Sequence, residues 1–131
     1  EAGANIERVV MGHLDRTIYD DEQTLELAKS GGYMEYDLFG SESSHYPLPG
    51  SHMPNDVQRM DKLQLLVENG FGKKALVAQD ICTKHRLVKY GGHGYHHILQ
   101  NIVPRMKQGG FSSEEIGDII TNNPAAILTF E

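Results

Sequence analysis

The sequence predicts an α/β fold, a parallel sheet whose strands are joined through helices. Three observations predict it. Two short apolar runs, Val9-Val10-Met11-Gly12 and Ala75-Leu76-Val77-Ala78-Gln79, lack polar alternation and suit strands buried on both faces of a parallel sheet. Between them, Val57, Met60, Leu63, Leu66 and Val67 recur at three- and four-residue spacing, the pattern of a helix with one face on a core. Strand-like and helix-like segments alternate along the chain, which implies parallel strands with right-handed crossovers.

The elements follow in order. Residues 8–12 read as a strand after a short helical or loop segment at 1–7. Asp15 to Glu22 is polar and acidic and leads into a helix over about 21–30 that Gly31-Gly32 stops. Leu25 and Ala28, with Leu27 beside them, form its inner face. Tyr33 to Phe39 is aromatic and strand-like. Gly40 to Pro54, rich in proline, glycine and serine, reads as a loop longer than a typical connection. Pro54-Asn55-Asp56 opens the next helix and Asn69-Gly70 closes it. A strand over 75–79 precedes a second long loop, 81–95. A helix over about 96–108 follows, with Ile98, Ile102, Val103 and Met106 inward and a kink or break near Pro104. Ser112-Ser113-Glu114-Glu115 starts another helix, with Ile116, Ile119 and Ile120 on its apolar side. Asn123-Pro124 interrupts it before a last short helix over 125–130.

At 131 residues the chain is one modest domain. A closed eight-fold α/β barrel needs roughly 250 residues; if the architecture is a barrel, three strands are only part of one, with an inner face left without a partner. Twelve Lys and Arg against eighteen Asp and Glu give a net charge of -6, which argues against a nucleic-acid partner. No long apolar run crosses a membrane, and no signal-peptide pattern opens the chain. A single cysteine, Cys82, excludes an internal disulfide and fits a reducing, cytoplasmic setting. Of the seven histidines, His45 and His52 read as solvated loop residues.

Each apolar run ends on a metal-competent side chain, His13 and Asp80. In α/β barrels the functional groups sit past the carboxyl ends of the strands. A strand-end imidazole is a good ligand for zinc or a similar ion; the other reading of His13 is a core histidine bonded to backbone. An acid directly after an apolar strand must be paired, hydrogen-bonded or metal-bound. For Asp80 that leaves a ligand, a helix cap, or a partner for Lys84 or Arg86. As a ligand it also takes a proton from attacking water, whose pKa a metal lowers. Asp37 ends the middle strand at the same level, either to orient a neighbour or relay a proton, or to cap its loop. His93, His96 and His97 lack a second ligand pair and read as surface or pocket residues. Cys82-x-x-His85 shares that weakness. The glycines of Gly91-Gly92-His93-Gly94 suit a flexible lid.

The motifs Gly12-His13-Leu14-Asp15-Arg16-Thr17, Tyr36-Asp37-Leu38-Phe39-Gly40 and Ala78-Gln79-Asp80-Ile81 resemble the phosphotriesterase family of the amidohydrolase superfamily. The tract from Thr83 to Tyr95 and Asn123-Pro124-Ala125 resemble it too, so the likeness spans nearly the whole chain. The resemblance implies the C-terminal part of a (β/α)8 TIM barrel, strands six to eight with their helices, with the upstream part absent. It implies a hydrolase with two zinc ions per intact active site. His13 would bind the second metal; Asp80 would bind the first and act as the base toward a metal-bound hydroxide. A His-x-His after strand one, a bridging Lys or Glu on strand four and a His on strand five would complete the set. No His-x-His occurs in these 131 residues, so the chain alone is expected to be inactive.

The family hydrolyses phosphotriesters, lactones and esters, and its phosphotriesterase-related branch is associated with amide cleavage in N-acyl taurines, notably N-acetyltaurine. The resemblance thus implies a small-molecule substrate. Lys84, Arg86, Lys89, Tyr90 and His93 can offer donors to its anionic group. Arg86, Tyr90 and His93 are the expected substrate contacts, the lysines reading better as solvated. Gln79 stands where His is expected in similar sequences, and Cys82 where a polar residue or His is expected. A barrel that binds without catalysing, its metals lost, is the rival reading. Association of copies into a homo-oligomer would cover the apolar faces.

Overall fold

The computed structural model describes residues 3–43 and 52–130. His45 and residues 44–51 of the expected loop lie outside them. Three short strands form one parallel sheet in the order β1 (Val10–Met11), β2 (Tyr33–Tyr36), β3 (Ala75–Val77). The register pairs Val10 with Tyr33, Met11 with Met34, Met34 with Ala75, Glu35 with Leu76 and Tyr36 with Val77. Parallel neighbours require crossovers, and the helices α1 (Asp21–Ala28) and α2 (Asp56–Glu68) supply them. The three strands therefore end side by side at one edge.

Local chemistry accounts for each boundary. The Asp20 carboxylate accepts the Gln23 N–H and caps α1. Asn55 and Gln58 form a reciprocal capping box at the start of α2, and Ser112 with Glu115 forms another at α4 (Ser113–Gly117). Gly31 and Gly70, with φ of 91° and 83°, follow α1 and α2 in the left-handed conformation that favours glycine.

The break near Pro104 is a widened turn. Residues Ile98–Ile102 wind as π-helix, with the Val103 N–H reaching back to the Ile98 carbonyl, before α3 (Val103–Gln108). Proline has no N–H to offer four residues back, and widening the turn accommodates its ring. The same device precedes Pro124. Asp118–Asn122 winds as π-helix and joins α4 to α5 (Asn123–Leu128) without the expected interruption. Asn123 is buried, and its amide donates to the Gly72 and Ala75 carbonyls (2.9 and 2.8 Å), tying α5 to the start of β3.

The core lies between the sheet and the helices. Met34, Tyr36 and Ala75 meet Leu63 and Leu66 of α2, Ile102 and Met106 around the proline turn, and Ile119. Two expectations change here. Val10 is 39% exposed, so β1 is not buried on both faces. Val57 is 52% exposed, and the inward face of α2 carries Asp56 and Arg59 before Leu63 and Leu66. Val10, Glu35, Leu76 and Val77 line a shallow groove with Pro124, Ile127 and Leu128.

Candidate active site

His13 follows β1 with φ 56° and ψ 31°, a left-handed conformation. Asp80 follows β3 with φ 43°. Among the described residues these are the two non-glycine positions with positive φ. Such backbone costs energy and concentrates where function holds it in place. Both side chains are 39% exposed.

Asp37, just past β2, locks the imidazole. Its Oδ1 lies 2.7 Å from His13 Nδ1, and its Oδ2 accepts the His13 backbone N–H at 3.1 Å. Asp37 thus caps the loop and orients its neighbour at once. With Nδ1–H given to a carboxylate, the Nε2 lone pair remains for a ligand role. Gly12 makes the approach possible: a Cβ there would lie 3.3 Å from both Asp37 Oδ2 and Glu35 Oε2. Burial raises the Glu35 carboxyl above its usual range, as do the charges of Asp37 and Asp15, while His13 opposes them.

Asp80 is held by its main chain. Its carbonyl accepts the Cys82 N–H at 2.8 Å and a hydrogen bond from Arg86 Nη1. The same nitrogen donates to the Gln79 carbonyl at 3.2 Å and lies 4.0 Å from Asp80 Oδ2. Gln79 Nε2 in turn donates to the Gly94 carbonyl at 2.7 Å. The loop after β3 is thus folded back onto the strand end. Two of its glycines, Gly92 and Gly94, serve close packing. A Cβ at Gly92 would fall 2.2 Å from the Arg86 carbonyl carbon, and one at Gly94 would fall 2.5 Å from Val88 Cγ2.

Arg86 and His93, two of the expected substrate contacts, line a cleft of about 470 Å³ with His85, Gly40, Glu42 and Met53. Tyr90 is half exposed, with the Lys84 and Lys89 ammonium groups each 5.7 Å from its ring. His93 stacks on His97 at 4.2 Å between centroids. His97 itself is buried, its Nε2 2.7 Å from Asp56 Oδ2 and its Nδ1 2.9 Å from Asn101 Nδ2.

Sequence reasoning missed the cluster to which His97 belongs. Arg59 Nε donates to Asp15 Oδ1 at 2.5 Å, and its Nη1 donates to Asp56 Oδ1 at 2.8 Å. The two carboxyls are shifted oppositely. Burial raises Asp15 despite Arg59. Burial also pushes Asp56 upward, but the Gly40 N–H, His97 and Arg59 outweigh it and hold Asp56 below its usual range. The available signal was an arginine at position 59 on the apolar stripe of a helix, which demands a buried acid.

Among the described residues, no three His, Cys, Asp or Glu side chains converge to hold a metal ion. The donors this chain presents, the His13 Nε2 and the half-exposed Asp80 carboxylate, fit a divalent cation in type, but as two separate groups that other ligands must complete. None of the described helices is long and apolar enough to cross a membrane.

Comparison with known proteins agrees with this architecture. The model of the phosphotriesterase family matches residues 1–128, and the chain belongs to that family. It is 52% identical to the N-acetyltaurine hydrolase of Dictyostelium discoideum over 98% of its length, and 52% identical to that of Homo sapiens over all of it. It spans only 35% and 38% of those two proteins. Among solved structures, a resiniferatoxin-binding protein from Rhodobacter sphaeroides superposes with a TM-score of 0.89 at 25% identity, over 95% of this chain and 35% of that one. The phosphotriesterase homology protein from Escherichia coli gives 0.78 at 28% identity, over 95% and 39%.

Proposed function

We propose that these residues form strands six to eight, with their helices, of a (β/α)8 metal-dependent hydrolase that cleaves the amide of N-acetyltaurine or a related N-acyl taurine. The observation that carries the reading is the strand-end pair of His13 and Asp80, both held in left-handed backbone and the first locked through Nδ1 by Asp37. The substrate class draws on the relatives that are half identical over this chain.

His13, through Nε2, and Asp80, through its carboxylate, would each hold a divalent cation, two zinc ions in the intact site. When bound, such ions would supply polarisation of the scissile carbonyl and a lowered pKa for water. Asp80 accepts the proton of the attacking water at its carboxylate and passes it to the leaving amine. Arg86 holds the Asp80 main chain in position and, with His93 and Tyr90, presents donors to the sulfonate. The cleft beside Gly40 gives the anion a place next to Arg86 and His93. The unpaired Cys82 is in keeping with a cytoplasmic setting. Alone, the chain brings two ligands and would not turn over; the rest of the barrel, and in one arrangement a second copy, would cover its faces.

The test uses the intact protein that contains this chain. Metal analysis should find two zinc ions per site, and N-acetyltaurine should be hydrolysed in preference to a lactone panel. His13→Ala should lose metal and turnover together. A fully metallated protein that leaves N-acetyltaurine untouched would overturn the substrate. Full turnover in His13→Ala would overturn the site.

A further inference from the structure

Behind His13 runs a continuous chain of buried polar groups. Asp37, which holds His13 Nδ1, donates its backbone N–H to Asp15 Oδ2 at 2.9 Å. The other Asp15 oxygen receives Arg59 Nε. The rest of the guanidinium is spent on Asp56 Oδ1 and the Ser41 carbonyl, both at 2.8 Å. Arg59 is 1% exposed and Asp15 3%. Stability alone does not call for such a pair, since apolar residues of similar volume often serve as well or better. Its geometry does something apolar packing would not. One carboxylate spans the ends of β1 and β2, and the Nε of a planar guanidinium on α2, itself anchored on Asp56 and the Ser41 carbonyl, fixes its other oxygen.

We propose that Arg59 is a positioning residue for His13. By clamping Asp15, it sets the main chain of Asp37, whose carboxylate sets the imidazole and aims Nε2. The inference rests on His13 being a metal ligand, as in the function proposed above. Partners that orient a ligating histidine typically govern metal affinity by 10- to 100-fold, and Arg59 acts at one remove through the same carboxylate.

The experiment reads zinc affinity of the intact protein by chelator competition, beside thermal unfolding of the metal-free form. Arg59→Lys keeps the buried charge but loses the fork. Asp15→Asn leaves an acceptor for only one of Arg59 Nε and the Asp37 N–H. Each should weaken zinc binding by about 10- to 100-fold. Arg59→Lys combined with Asp37→Asn should bind zinc within about two-fold of Asp37→Asn alone, because contacts in series do not add. Should Arg59→Lys not fold, Asp15→Asn supplies the same comparison. Unchanged zinc affinity with a lowered unfolding midpoint would reduce Arg59 to a structural residue and overturn the inference. Fully additive losses would overturn it as well, by placing the action of Arg59 outside Asp37. Undiminished zinc binding in His13→Ala would instead remove the ligand assignment, and this inference with it.

Discussion

Asp37 grips His13 twice, taking the ring Nδ1 at 2.7 Å and the backbone N–H at 3.1 Å with separate carboxylate oxygens. The double contact explains how a non-glycine residue persists at φ 56° directly after a strand. It also fixes the tautomer that leaves Nε2 available. At the far edge of the sheet, Asp80 is restrained differently, by hydrogen bonds to its own carbonyl. Among the described residues no side chain hydrogen-bonds its carboxylate, the Arg86 nitrogen standing 4.0 Å away.

That freedom makes Asp80→Asn the sharpest probe of catalysis in the intact protein. Asparagine tolerates the left-handed backbone at φ 43°, so the unfolding midpoint should hold within a few degrees. An amide cannot take the proton, so kcat should fall by about 10²- to 10⁴-fold. Near-normal kcat would show that another group is the base.

The Arg59 cluster predicts a large loss of stability on truncation. Arg59→Met leaves Asp15 and Asp56 facing each other across a buried space without their shared cation. Breaking a buried pair from one side costs about 3–5 kcal/mol. Urea unfolding of the intact variant should show a loss of that order, and a loss under about 1 kcal/mol would mean that water reaches the carboxylates.

What the sequence made legible divides along the range of the interactions. The strand-end places of His13, Asp37 and Asp80 are readable because each follows an apolar or aromatic run. The Pro104 break and the Ser112 cap are readable because their causes lie within four residues. Arg59 was not, because one of the two acids that hold it in the core lies 44 positions away. Val57 was given the inward place by its hydropathy, yet paired Asp56 and Arg59 displaced it. The role of Gly92 was hidden for the same reason: its constraint is a backbone six residues off in a folded loop, not a local turn.

Asp56 predicts a specific pH dependence. Its carboxyl is pushed up by burial but held below the ordinary aspartate value of about 3.8 by Gly40, His97 and Arg59. A depressed folded pKa means that ionised Asp56 contributes stability fully above about 3.8 and loses it as pH falls through the lower folded value. The charge-assisted bonds removed in Asp56→Asn are worth about 1.5–3 kcal/mol. The stability gap between native and variant protein should therefore stay level from neutral pH to about pH 5 and narrow below about 3.8. Urea unfolding at a series of pH values measures it; a gap that widens on acidification would reverse the sign assigned to Asp56.

Gly92 and Gly91 separate packing from backbone strain in the loop after β3. A Cβ at Gly92 would sit 2.2–2.4 Å from the Arg86 backbone, whereas one at Gly91 meets open space but at φ +91°. Gly91→Ala should cost about 1–2 kcal/mol from the left-handed backbone alone and leave kcat/KM near its original value. Gly92→Ala should cost a similar 1–3 kcal/mol, roughly, from overpacking, and it must also push Arg86 away from the Asp80 carbonyl. A shift of that kind beside a reacting group lowers turnover by as much as about 100-fold. Parallel kinetics of the two variants decide the matter: equal activity in both would mean that Arg86 does not hold Asp80 in its working position.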